Sequence, residues 1–74
     1  MYVVDVKKIK KLMVDHEIET VEALSDRTGV NRNTLADVLN GKTYPSSMVM
    51  TKIGEALNIA AEDMGGIFFA QKVS

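Results

Sequence analysis

The sequence contains no cysteine and no tryptophan, a single proline, and only 5% aromatic residues. Without cysteine the chain can form no disulfide, no thiolate metal site and no cysteine nucleophile, so its fold must be stabilised by packing alone. No apolar run approaches the ~20 residues that a membrane span requires. The opening segment, MYVVDV, continues into lysines rather than into a long apolar stretch. We therefore expect no secretory signal, no membrane and a cytoplasmic location.

What the chain does contain is typical of one small globular domain, with 46% hydrophobic and 26% charged residues among 74. Its net charge of −1 is unevenly distributed. Lysines cluster between positions 7 and 11, acidic residues between positions 17 and 26, and positions 27–44 are again mildly basic. The net charge argues neither for nor against a polyanionic partner, whereas the local distribution of charge slightly favours one.

The apolar positions step by three and four residues along most of the chain, which predicts helices. We predict helices at residues 6–16, 20–29, 31–40 and 46–58, and a weaker one at 60–70 that a pair of glycines interrupts. Thr20, Asn31 and Ser46 are suitable N-caps, while Gly29 and Gly41 are suitable stops because glycine adopts the left-handed conformation without strain. Alternation over residues 2–6 predicts a short strand, paired with residues 67–69 or with a second copy.

We predict a single domain of residues 1–74. Within it, residues 20–41 meet the steric requirements of a helix-turn-helix. Ser25 is small where two helices cross, Gly29 allows a tight reversal, and Val30 can fill the turn. Leu35 and Val38 anchor the second helix, at about 31–40, and leave its N-terminal end exposed to the major groove of DNA. The sequence thus predicts an all-α fold, a compact bundle of four to five helices, with short terminal strands as an option.

The segment TVEALSDRTGVNRNTLADVLNGKTYPS resembles the Cro/phage-repressor type of helix-turn-helix domain, the XRE-like family. MVMTKIGEALNI resembles the helix that follows it in that family, and the resemblance covers about residues 6–64. It implies a lambda-repressor-like bundle that is usually dimeric on operator DNA and controls transcription of phage or prophage genes.

The chain departs from that family pattern at several positions. Val21 stands where the family usually has a Gln that touches DNA, and Ser25 replaces the usual Ala. Leu39 and Met13 occupy the places of a Glu and the Arg that holds it, which we interpret as an ion pair replaced by apolar packing. Asp37 lies in the later part of the recognition helix, which is often basic.

The exposed end of the third helix carries the side chains that can read base edges. The predicted base contacts are Arg32, Asn33, Thr34 and Asp37. For Asp37 a solvated charge, or a pair with Arg32 or Lys42, is the favoured interpretation. Helix N-termini and nearby donors suit phosphate. The predicted phosphate contacts are Thr20, Asn31, Asn40, Lys42, Thr43, Tyr44, Ser46 and Ser47.

The C-terminal segment, residues 65–74, has two interpretations: it covers the open end of the core, or it forms a dimer contact. The candidates for that contact are Ile67, Phe68, Phe69 and Val73. Dimerisation would pair two recognition helices on a palindromic double-stranded operator.

The lone His16 has no convergent triad around it, so we expect no enzyme, no cofactor, no metal and no small-molecule substrate.

Two functions from different classes remain at this point. The favoured one is a sequence-specific regulator, a Cro-like protein or small repressor, since 74 residues leave no room for an effector domain. The alternative is a protein-interaction module, antirepressor or antitoxin-like, which kept the fold and lost DNA affinity; Val21, Asp37 and the acidic total favour it modestly. Steep salt dependence of duplex binding would favour the first.

Overall fold

The computed structural model describes residues 2–71. Within that range the chain forms five helices and two short strands, which confirms the predicted all-α bundle. In chain order the elements are β1 (Tyr2–Val3), α1 (Val6–Asp15), α2 (Val21–Thr28), α3 (Arg32–Leu39), α4 (Ser47–Ala56), α5 (Ala61–Phe68) and β2 (Ala70–Gln71).

Local side-chain chemistry sets the ends of the three central helices. Thr20, Asn31 and Ser46 each accept a hydrogen bond of 2.8–3.3 Å from a backbone N–H in the first turn of the helix that follows. Gly29 and Gly41 both have a φ of +74°, in the left-handed region that L side chains rarely adopt. The predicted caps and stops are therefore confirmed.

The two chain ends differ from expectation. α5 runs unbroken through the glycine pair, so the predicted interruption is wrong; its last two residues, Ile67 and Phe68, are buried in the core and stabilise it. β1 pairs antiparallel with β2, in the register Tyr2 to Gln71 and Val3 to Ala70. The predicted strand partner, residues 67–69, is wrong because most of that segment belongs to the last turn of α5.

The core lies between α1 and the helices that follow it, and α2 packs on both α3 and α4. Its buried members are Ile9, Met13, Ile18, Leu24, Val30, Leu35, Leu39, Val49, Met50, Ile53, Leu57, Ile67 and Phe68. Both Met13 and Leu39 belong to it, in agreement with the apolar packing predicted for these two positions. Because Leu35, Val38 and Leu39 face inward, the core fixes α3 by one side.

Candidate nucleic-acid interface

The turn between α2 and α3 is closed by a set of short-range hydrogen bonds. The N–H of Gly29 donates to the carbonyl of Ser25 at 2.8 Å. The Thr28 hydroxyl donates to the carbonyl of Leu24 at 2.8 Å and accepts from the N–H of Val30 at 3.1 Å. The Ser25 hydroxyl donates to the carbonyl of Val30 at 2.6 Å. These bonds hold Val30 in the core and fix the angle at which α3 leaves the turn.

Sequence reasoning missed this role of the two hydroxyls. It assigned Ser25 by size alone and gave Thr28 no role. A signal was present, because Ser and Thr near a helix end often hydrogen-bond to the carbonyl four residues earlier. Thr28 follows that rule, and it is the one buried polar residue among residues 2–71.

The predicted base-contact residues lie largely on the open side of α3. Arg32, Asn33 and Thr34 are exposed, Asp37 is half-buried, and Leu35 between them is fully buried. The Asn31 side chain accepts the backbone N–H of Asn33, a bond that leaves the Asn33 carboxamide unused. Three side chains that can donate to base edges are thus presented together at the start of α3.

Arg32 has a partner that the sequence did not reveal. Its Nη1 lies 3.1 Å from Oε1 of Glu22, in the first turn of α2. The alternative pair of Arg32 with Asp37 is not formed. Asp37 meets the following loop through its backbone, where its carbonyl accepts the N–H groups of Lys42 at 2.8 Å and Thr43 at 3.4 Å.

The predicted phosphate contacts are all exposed. At Thr20, Asn31 and Ser46 the side-chain oxygen caps a helix as an acceptor, so the hydroxyl or amide hydrogens remain free to donate. Asn40, Lys42, Thr43 and Ser47 occupy the loop after α3 and the start of α4.

Tyr44 differs from the other phosphate candidates, because its hydroxyl donates to the carbonyl of Phe68. Its ring lies 6.3 Å from that of Phe69, centroid to centroid. Desolvation raises the pKa of Tyr44, and the nearby Tyr2 adds to the effect. Tyr44 therefore joins the loop after α3 to the end of α5, and its proton is already engaged within the chain.

The candidates for a dimer contact separate into two groups. Ile67 and Phe68 are buried within the one chain, as the core-covering interpretation requires. Phe69 is 46% exposed and packs edge-on against Tyr2, with 5.6 Å between ring centroids. Val73 lies outside the described residues. Phe69 is thus the candidate that a second copy could reach.

Among residues 2–71 no group of three His, Cys, Asp or Glu side chains is placed to hold a metal ion. In the same range no helix combines the length and the apolar character needed to cross a membrane.

Comparison with known proteins agrees with this geometry. The model of the Cro/C1-type helix-turn-helix DNA-binding domain matches residues 8–65, well over half of the chain and most of α1 to α5. No curated protein and no solved structure matches the chain. That family consists of DNA-binding regulators and not of enzymes. By this match the chain belongs to the family of Cro/C1-type helix-turn-helix DNA-binding domains.

Proposed function

We propose that the chain is a sequence-specific transcriptional regulator, a Cro-like protein or small repressor of the phage or prophage type. It reads the major groove of double-stranded DNA with α3. The observation that carries this proposal is the two-sided character of α3, whose buried Leu35, Val38 and Leu39 fix it while Arg32 and Asn33 are exposed at its start. Arg suits guanine O6 and N7, and Asn suits adenine N6 and N7.

The exposed donors around α3 would position the protein on the backbone of the duplex. Thr20, Asn31 and Ser46 keep free hydrogens at the starts of three helices, whose N–H groups and dipoles favour phosphate. Lys42 and Thr43 follow directly after α3. With Asn40 and Ser47 they make up the phosphate-contacting set, and Tyr44 contributes through packing instead.

Two copies on a palindromic operator would supply the selectivity that one small domain lacks. The exposed ring of Phe69 beside the terminal strands supports a homodimer contact there. In this arrangement the recognition helices lie one helical turn of DNA apart, ~34 Å. The protein then acts in the compartment that holds the DNA.

Selection of bound fragments from a random duplex pool, followed by titration against salt, tests the proposal. A regulator enriches a defined sequence, and its affinity for that sequence falls steeply as salt rises. Recovery of no preferred sequence, together with weak binding that is flat in salt, would contradict it.

The protein-interaction module is the second candidate. The ion pair between Arg32 and Glu22 favours this candidate, because Glu22 neutralises one of the few cations near the recognition surface. This function expects no selected duplex and a stable complex with a protein partner instead.

A further inference from the structure

The ion pair between α2 and α3 lies at the edge of the proposed recognition surface. Arg32 is the first residue of α3, and Glu22 is in the first turn of α2. It is the single ion pair among residues 2–71, with side chains 60% exposed for Arg32 and 73% for Glu22.

Fold stability explains this pair poorly. Exposed ion pairs contribute little to folding, since solvent and salt screen them and ordering two long side chains costs entropy. The favourable interaction of Glu22 with the N-terminal end of α2 requires no Arg partner. We therefore look for the effect of this pair in the binding of DNA by Arg32.

We propose that Glu22 is a positioning residue that directs Arg32 towards a base and away from phosphate; this rests on the proposed function. The carboxylate engages one donor group of the guanidinium, Nη1, and restricts its orientation. An arginine has five N–H donors, so a fork of two remains for guanine O6 and N7.

The charge of Glu22 discriminates between the two possible acceptors on DNA. A phosphate oxygen is anionic, so bringing it to a guanidinium that already has a carboxylate at 3.1 Å places two like charges close together. Guanine O6 and N7 are neutral and suffer a smaller repulsion. Glu22 thus weakens non-specific attachment through Arg32 more than it weakens base readout.

The surroundings of the pair strengthen this bias. Glu22, Ser25, Asp26 and Arg32 line one shallow cleft of about 310 Å³. Asp26 lies one helical turn after Glu22 and adds a second carboxylate to the α2 side of the cleft. A phosphate entering this cleft would meet two negative charges beside one positive charge.

The test compares Glu22→Gln with wild type on the selected operator, on its single-base variants and on random duplex. We expect Glu22→Gln to lose about two- to fivefold in preference at the one base pair that Arg32 reads, the size of an exposed ion pair. Binding to random duplex should tighten, and its salt slope should steepen by about one unit as Arg32 becomes free for phosphate.

Three further variants separate positioning from charge alone. Glu19→Gln removes the same charge just before α2, from an exposed residue that forms no ion pair within residues 2–71, and should leave base preference unchanged. In an Arg32→Ala background, Glu22→Gln should no longer alter preference at any base pair. Glu22→Asp keeps the charge with a shorter reach, and should relax preference without the gain on random duplex.

The proposal is overturned if Glu22→Gln keeps full base preference, or if Glu19→Gln relaxes it equally. It is also overturned if the effect of Glu22→Gln persists without Arg32. Thermal unfolding of each variant identifies a loss of fold, in which case Glu22→Asp decides. A wild-type protein that selects no duplex at all would instead contradict the proposed function.

Discussion

The hydroxyl oxygen of Thr28 lies 3.1 Å from the backbone nitrogen of Val30 and accepts its N–H across the turn. The same hydroxyl donates to the carbonyl of Leu24, and the residue is 8% exposed. One side chain thus satisfies two backbone groups at the junction of α2 and α3, where water has little access.

Replacing Thr28 with Val should destabilise the fold by about 1–3 kcal/mol, because the Val30 N–H loses its acceptor in a buried place. Thr51→Val is the matched control, since the Thr51 hydroxyl also donates to a carbonyl four residues earlier, that of Ser47, but is exposed. The control should stay within about 0.5 kcal/mol of wild type. Urea unfolding measures both, and equal losses would mean that the turn does not depend on this hydroxyl.

Glycine substitutions should change sign between the turn and α5. Gly29 has a φ of +74° and open space where a methyl group would lie, so Gly29→Ala should cost about 1–2 kcal/mol through backbone strain alone. Gly29→Val should cost at least as much, because the β-branched side chain is strained there. Gly66→Ala, in helical backbone with equally open space, should stabilise by about 0.5–1 kcal/mol. A Gly29→Ala variant that melts no lower than wild type would count against the left-handed turn.

Tyr44 should link stability to alkaline pH. Its pKa is raised in the folded chain by desolvation and by Tyr2, so its contribution is complete below the ordinary tyrosine pKa of about 10. That contribution is lost as the pH rises through the folded pKa. Tyr44→Phe should cost less than about 1 kcal/mol at neutral pH, since the group is half exposed.

Urea unfolding of wild type and Tyr44→Phe at about pH 8 and about pH 11 tests this linkage. The difference in unfolding free energy between the two proteins should shrink or reverse at the higher pH. A difference that is the same at both pH values would show that ionisation of the Tyr44 hydroxyl does not affect folding stability.

Base readout and backbone attachment should respond differently to substitution. Arg32→Ala and Asn33→Ala should each lose ~1–3 kcal/mol on the selected operator and relax preference at one base pair. Lys42→Ala should weaken binding to all sequences alike and reduce the salt slope by about one unit. If the Arg32 and Asn33 variants bind the operator as tightly as wild type, α3 is not the reading helix.

Much of the fold could be predicted because its determinants are local. Caps and stops act within one turn, so Thr20, Gly29 and Ser46 indicated their helix ends directly from sequence. The continuity of α5 could not be predicted in the same way, because it depends on the burial of Ile67 and Phe68 against other helices. Packing then overrides the low helix propensity of two adjacent glycines.

The candidate site divides along the same line. The exposed start of α3 followed from helical periodicity and from the two predicted anchors, Leu35 and Val38. The partner of Arg32 did not, because Glu22 is ten residues away and meets it only through the crossing angle of two helices. The contact of Tyr44 with Phe68 could not be predicted for the same reason, since it spans 24 residues of sequence.

The exposed ring of Phe69 should matter for assembly more than for folding. With 46% of its surface exposed, Phe69→Ala should reduce stability less than a core truncation would. It should weaken binding to a full palindrome far more than binding to a half-site, because a second copy is needed only on the full site. Val14→Ala is the control. Val14 is 72% exposed near the C-terminal end of α1, and its substitution should change neither the stability nor the difference between full-site and half-site binding.

Sedimentation with and without DNA, together with half-site and full-site titrations, measures this difference. A dimer contact at Phe69 predicts that the loss on the full site exceeds the loss on the half-site, and that two copies sediment with a palindrome whose half-sites lie ~34 Å apart. Equal losses on half and full sites, with monomers throughout, would assign the ring to packing against Tyr2 alone. Equal losses with two copies still bound to the palindrome would instead place the interface elsewhere on the surface, because Ile67 and Phe68 are already enclosed by their own chain.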